Sequence, residues 1–158
     1  MSQMQREIYV VTKQPVDQVY HELIQYGQKV CDTALVVVRP SLGLEPSAVA
    51  LLDHLEQFLM KKQEQAEWPG TELFGREKAT VYYFHLKPEC AKLLVGAVDG
   101  LYKWLQPERP EDLCLLRSDG TAWLTCIAHE KDAYFELTTE ELETLLKAVP
   151  GIDLLRQK

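Results

Sequence analysis

The chain has 158 residues, 46% hydrophobic and 26% charged, with 17 Lys plus Arg against 24 Asp plus Glu and a formal net charge of −7. This is the length and composition of one ordinary globular domain, able to bury roughly 70% of its unfolded surface without a metal or disulfide staple. The acidic balance argues against nucleic acid as a partner, because phosphate binding rests on clustered Lys and Arg. The longest uninterrupted apolar run, Ala34 to Val38, is far short of a membrane span of roughly 20 residues.

The N-terminal stretch MSQMQREIYVV has no basic segment followed by an apolar one, so no secretory signal is expected and the protein is read as cytoplasmic, with no membrane partner. Cys31, Cys90, Cys114 and Cys126 include no CxxC or zinc-knuckle spacing, and are expected to be reduced thiols used as small core hydrophobes.

In chain order, residues 7–12 are β-branched and aromatic and end at Gln14-Pro15, which predicts a strand. Val16, Val19, Tyr20, Leu23 and Ile24 then recur at helical spacing, with Gly27 near the expected stop. Residues 33–39 are apolar at successive positions, the pattern of an inner strand covered on both faces, and Pro40 ends it. A helix is predicted from Pro46 to Gln63, with Ala48, Leu51, Leu52, Leu55, Phe58 and Leu59 as its buried stripe and His54 on the solvent side. Residues 62–78 read as the longest irregular segment, turning at Trp68-Pro69-Gly70-Thr71, with Trp68 capping the core or standing at a pocket rim.

A strand over residues 79–86 and a helix from Pro88 to about Leu105 follow, the helix carrying Gly96 and Gly100. The prolines of QPERPED then enforce an extended connection. DLCLLR, Ser118-Asp119-Gly120 and TAWLTCIAH form a hairpin, for which Asp119-Gly120 predicts a type I′ two-residue turn pairing Leu116 with Trp123 and Leu115 with Leu124. A second turn at Lys131-Asp132 would pair His129 with Tyr134, Ala128 with Phe135 and Cys126 with Leu137. Alternation then puts Leu113, Leu115, Leu124, Cys126, Ala128, Phe135 and Leu137 on a core face. Cys114, Leu116, Trp123, Thr125, Ile127, His129, Tyr134 and Glu136 share a mixed face. Thr138 and Glu141 spell a capping box for a last helix, stopped by Pro150-Gly151, with a short strand possible at Ile152–Leu155. The expected fold is one α/β (α+β mixed) domain over residues 1–158, β-α-β-α-β-α followed by a three-stranded antiparallel meander and a C-terminal helix, on a mixed sheet.

Chemistry concentrates at His129-Glu130-x-Asp132. The segment is not a zincin helix, because position 133 is Ala where the motif needs a second His, and its two potential ligands fall short of the three or four protein ligands zinc takes, so no metal is expected. Cys114 stands away from His129 along the strand, which argues against a thiol–imidazole pair. No phosphate loop, dinucleotide fingerprint or GxSxG occurs, and no cofactor is expected. His129 with Glu136 as acid and base is the candidate catalytic arrangement. Trp68, Trp123, His129, Glu130 and Tyr134 are the candidate ligand- or partner-binding residues, since mixed aromatic and polar surfaces are the kind binding sites use.

Three stretches carry a resemblance when taken in order: Trp68-Pro69-Gly70-Thr71, then Pro110-Glu111-Asp112-Leu113-Cys114 with its Asp119-Gly120 hairpin, then His129-Glu130 before the capped helix. Over roughly residues 45–150 the chain resembles a family of small bacterial proteins, some of which carry the name stage III sporulation protein AH. The resemblance implies a soluble bacterial protein and, through the name, a sporulation-associated structural role; it transfers no catalytic residue. The hairpin, His-Glu and helix ending is also similar in pattern to SMI1-type and immunity-type domains, which bind protein partners. The expectation is a non-enzymatic module that binds a protein partner through the face bearing Trp123, His129 and Tyr134, with a small enzyme or small-molecule binder using His129 as the alternative.

Overall fold

The fold is built on alternating burial along its strands. In strand β2 (Thr33–Val38), Ala34 and Val36 point into one core while Leu35 and Val37 point into a second. A strand apolar on both faces has to be covered on both, as its continuous run predicts. The computed structural model describes residues 5–158. Among these, the further strands of the main sheet are β1 (Glu7–Val11), β3 (Leu59–Gln65), β6 (Ala79–His85), β7 (Glu111–Leu116), β8 (Ala122–Ile127), β9 (Asp132–Leu137) and β10 (Leu154–Arg156). Their order is β10-β1-β9-β8-β7-β2-β6-β3, and each pairing is antiparallel. The sheet is therefore antiparallel throughout rather than mixed. The helical crossovers return the chain to antiparallel positions instead of building parallel βαβ units.

Helices α1 (Asp17–Val30), α2 (Pro46–Leu55), α3 (Pro88–Ala97) and α4 (Thr139–Ala148) all feed the larger core. Tyr20, Leu23 and Ile24 of α1, Cys90 and Leu94 of α3 and Leu145 of α4 meet Leu113, Leu115, Leu124, Cys126, Phe135 and Leu137 of the sheet. A buried polar relay ties this layer together: the Trp104 indole donates to the Tyr20 hydroxyl at 3.0 Å, which donates to the Leu94 carbonyl at 2.6 Å. Burial drives the Tyr20 pKa upward, so the hydroxyl stays a donor. The result is one mixed α/β domain with its helices on a single face. Among the described residues no helix is long and apolar enough to cross a membrane.

The second face has a different cover. Helix α2 stops at Leu55, and after a 3-10 turn the chain becomes β3, where a helix to Gln63 was expected. The sequence LMKKQEQ has little apolar patterning because β3 is the edge of the sheet, and lysines on an edge discourage further pairing. Lys61 and Lys62 lie over the rings of Tyr83 and Tyr82 at 4.6 and 5.7 Å. The segment read as irregular holds a small hairpin, β4 (Glu67–Trp68) and β5 (Thr71–Glu72). It lays Trp68 and Leu73 on Leu35, Val37, Val81, Cys114 and Leu116 to form the second core. Helix α3 ends at Ala97, short of the expected Leu105, and Val98 is extended before a 3-10 turn at Leu101–Lys103.

The meander departs from its predicted register in two places. Leu115 pairs with Leu124 as expected, but Leu116 pairs with Ala122, which leaves Trp123 in a bulge. The loop is three residues, Ser118–Gly120, closed by the Arg117 amide on the Thr121 carbonyl and the Gly120 amide on the Arg117 carbonyl. Gly120 has φ 87 and Asp119 is not in the left-handed region, so this is a turn ending in a glycine bulge rather than type I′. The extra residue swings Trp123 onto the helix face, where it packs on Phe135 (ring centroids 4.9 Å apart) and Tyr26. At the next turn, Ala128–Glu130 form a 3-10 turn and Lys131 is left-handed (φ 54), so β8 ends at Ile127. The pairs are Leu124 with Phe135, Thr125 with Tyr134 and Cys126 with Ala133. The slip is even-numbered, so Phe135 and Leu137 keep their predicted core face. All four cysteines are buried and free.

The capping box is present: the Glu141 amide donates to the Thr138 hydroxyl and the Thr138 amide to the Glu141 carboxylate. Arg117, 7% exposed, joins the same carboxylate through Nε at 2.9 Å and Nη2 at 3.1 Å. Burial disfavours the Glu141 charge, but the Thr138 amide and Arg117 outweigh it and hold the carboxyl below its usual range. A lowered carboxylate contributes stability above its unfolded pKa and loses it as pH falls through the folded one. Glu141→Gln is expected to cost about 1–2 kcal/mol at neutral pH, and urea unfolding should show that cost shrinking as pH falls below about 4.3, the ordinary glutamate value.

Two glycines test the hairpins. A Cβ on Gly70 (φ 83) would lie 2.8 Å from Thr125 Cγ2 and 3.0 Å from Ile127 Cγ1, whereas one on Gly120 meets nothing within 4 Å. Gly120→Ala should cost about 1 kcal/mol, the backbone penalty alone. Gly70→Ala should cost clearly more, and equal losses on melting would mean that the β4–β5 hairpin does not lie against β8.

Candidate functional site

The expected surface changes membership once the side chains are placed. Trp68 and Trp123 are both buried, at 6% and 2% exposure, rather than displayed on the surface. The bulge accounts for Trp123. Trp68 is buried because its hairpin folds back over the sheet instead of standing at a rim. Tyr134 is half-buried on the second face beside Thr125. His129 and Glu130 are exposed on the 3-10 turn. Among the described residues no ion pair or hydrogen bond joins His129 to Tyr134 or Glu136.

The carboxylates nearest His129 are Glu111, whose Oε2 lies 4.0 Å from Nδ1, and Glu130, whose Oε2 lies 3.6 Å from Nε2. Asp112 completes a cluster in which one ligand atom from each of Glu111, Asp112 and His129 lies within 4.8 Å of the others. The hairpin register carried the signal for this. Counting four residues outward from Leu115–Leu124 on both strands sets Glu111 opposite Ala128, next to His129. Sequence reasoning missed it by looking for partners only within the His129 turn and β9.

Local structure explains how two acidic residues come to lie at the end of an apolar strand. Between Leu35–Cys114 and Val37–Glu111 the register of β7 shifts, and Asp112 takes a left-handed conformation, φ 58. Aspartate tolerates that region better than most residues. Its carboxylate has no exposure, and its two oxygens accept from the Trp68 indole at 3.1 Å and the Ala128 amide at 2.9 Å. Glu111 is 2% exposed. Its Oε1 accepts from the Gln106 amide at 3.2 Å, while its Oε2 is buried with no hydrogen-bond partner. The Gln106 side chain is fixed in turn by the Arg39 amide and by the Arg39 and Gly43 carbonyls.

Burial, and then the neighbouring Asp112 charge, push the Glu111 pKa up against the Gln106 amide, His129 and Arg39. Burial also raises Asp112 against its two donors. Arg39 is the cation of this neighbourhood, but its Nη2 is engaged with Glu77 at 3.0 Å. Burial pushes the Cys31, Cys90 and Cys114 thiols up to about 12 and raises Cys126 as well, opposite to what a reactive thiolate needs. Comparison with protein-family models, curated proteins and solved structures finds no match to this chain.

The Trp68–Asp112 bond is the joint between the hairpin cover and the cluster. Trp68→Phe keeps the apolar ring but leaves a buried carboxylate oxygen without its donor, which should cost about 1–3 kcal/mol. Denaturant unfolding measures it, and an unchanged midpoint would show that the indole bond is not formed in solution.

Proposed function

We propose that the protein is a non-enzymatic binding module whose partner docks on the uncovered half of the sheet's second face. The observation that supports this is the one-sided cover. The β4–β5 hairpin seals the second face over β7, β2 and β6, whereas among the described residues the second core includes none from β9, β1 or β10. Cross-strand partners share a face, so Thr125, Tyr134, Val10 and Leu155 form a row across four strands. Leu155 is 65% exposed. Asp132 and Glu136 flank Tyr134 on the same face of β9, because residues two apart point the same way. A largely apolar row with acidic residues on either side of Tyr134 suits a protein surface that offers apolar side chains beside basic ones. His129 and Glu130 lie at the meander's end, in an open position rather than in an enclosed pocket. A cleft of about 710 Å³ lies elsewhere, between the Glu45–Ser47 and Val95–Asp99 segments.

A second reading, a small-molecule binder or enzyme using His129 as acid and base, is favoured by the Glu111 contact at 4.0 Å. It exchanges the expected carboxylate partner Glu136 for Glu111.

The test is affinity capture from host lysate with wild type, Tyr134→Ala/Leu155→Ala and His129→Ala, each also melted. The double variant should still melt cooperatively as a folded protein, with a loss of about 1–2 kcal/mol for the half-buried Tyr134 ring, and lose the captured partner. Equal capture by wild type and double variant would reject the uncovered face as the docking surface.

A further inference from the structure

We infer that Glu111, Asp112 and His129 form a binding site for one divalent first-row transition ion, of the zinc or manganese class. This inference stands on the cluster's geometry and does not depend on the docking reading above.

The first argument is the orphaned oxygen. Glu111 is 2% exposed, yet its Oε2 has no donor and lies 4.0 Å from His129 Nδ1. A buried carboxylate oxygen without a partner is rare, because it has lost its water and gained nothing. Asp112 beside it doubles the local negative charge, and Arg39 directs Nη2 to Glu77 instead. A divalent cation would neutralise both carboxylates at once and supply the partner that Glu111 Oε2 lacks.

The second argument is the donor set. Two carboxylates and an imidazole are three protein ligands of types that zinc and manganese accept, with room left for water. Calcium takes six to eight oxygens and magnesium near-octahedral oxygen coordination, so the imidazole argues against both. The three donor atoms lie within 4.8 Å of one another. Bonds of about 2.1 Å would draw them to roughly 3–3.5 Å apart. The movement falls to His129, whose side chain is 44% exposed on a turn.

The third argument is the surrounding support. Metal-binding imidazoles commonly present their other nitrogen to a carboxylate, which fixes the ring and its tautomer. Here Glu130 Oε2 lies 3.6 Å from His129 Nε2 while Nδ1 faces Glu111. Asp112 is aimed by Trp68 and Ala128, and Glu111 by Gln106. Each carboxylate oxygen has a second lone pair, so these bonds hold Asp112 without using up its capacity as a ligand.

The test uses metal-free protein titrated separately with Zn²⁺ and Mn²⁺ by calorimetry, each addition paired with a thermal melt. Binding of one equivalent of at least one ion, with a rise in melting temperature, is expected, as for any ligand of the folded state. Glu111→Gln keeps the acceptor for the Gln106 amide, and His129→Ala alters an exposed side chain. Both should weaken binding by at least about tenfold, the scale at which even supporting residues act, while His54→Ala should bind as wild type. If Glu111→Gln fails to fold, His129→Ala with the Co²⁺ visible spectrum decides: wild type should show ligand-field bands that the variant lacks. No binding by wild type, or binding that His129→Ala leaves unchanged, overturns the site.

Discussion

Asp112 has no exposure to solvent, and its two oxygens are claimed by groups from distant parts of the chain: the Trp68 indole and the Ala128 amide. One carboxylate thereby fastens the β4–β5 hairpin to the sheet and sets the turn that follows β8. A buried charge costs stability unless its hydrogen bonds are made, so this arrangement is demanding of its surroundings. The left-handed bulge at Asp112 supplies the geometry. In a regular strand its side chain and that of Glu111 would point to opposite faces. The register shift in β7 lets them act together.

That fastening decides which surface the molecule keeps and which it offers. A large antiparallel sheet with every helix on one side needs cover for its other side wherever the strands are apolar. Trp68 and Leu73 provide that cover for β2, β6 and β7, whose outward residues Leu35, Val37, Val81 and Cys114 are buried. The hairpin reaches as far as β8, where Gly70 abuts Thr125 and Ile127. Beyond it, among the described residues, the row through Tyr134, Val10 and Leu155 includes the exposed Leu155. The proposed docking face is the complement of the hairpin's reach, and the Asp112 joint sets that boundary.

The sequence made the local devices plain and concealed those that depend on pairing in space. Thr138 and Glu141 read as a capping box because both halves lie three positions apart on one helix end, and β2 read as an inner strand because its apolar run needs no partner to be recognised. β3 was hidden because an edge strand is selected for polarity, and LMKKQEQ continues a helical stripe through Leu59 as well as it forms a strand. Trp123 was placed on the wrong face by one bulged residue, which no alternation rule anticipates. The Lys131 turn was mis-set by several residues, yet Phe135 and Leu137 stayed on their face because the slip was even. The site was half legible. His129 stood out by its company in sequence, while Glu111 and Asp112, nearly twenty positions earlier, joined it only through the β7–β8 register.

The two carboxylates also make the site costly to leave as it stands. Burial raises the pKa of Glu111 and of Asp112, and the Asp112 charge raises Glu111 further. Packing that served stability alone would put apolar residues at both positions, since replacing buried ionic groups by well-packed hydrophobes is often neutral or stabilising. Asp112 is partly accounted for by the two donors it ties together. Glu111 is not: its Oε1 takes one amide, and its Oε2 faces His129 across a gap too long for a hydrogen bond. One bond holds Glu111 in place, and its second oxygen is the one the proposed cation would take. The arrangement is also lopsided in a way that fits entry from solvent. The two carboxylates are buried and the imidazole is exposed, so the proposed cation would meet His129 first and the carboxylates behind it.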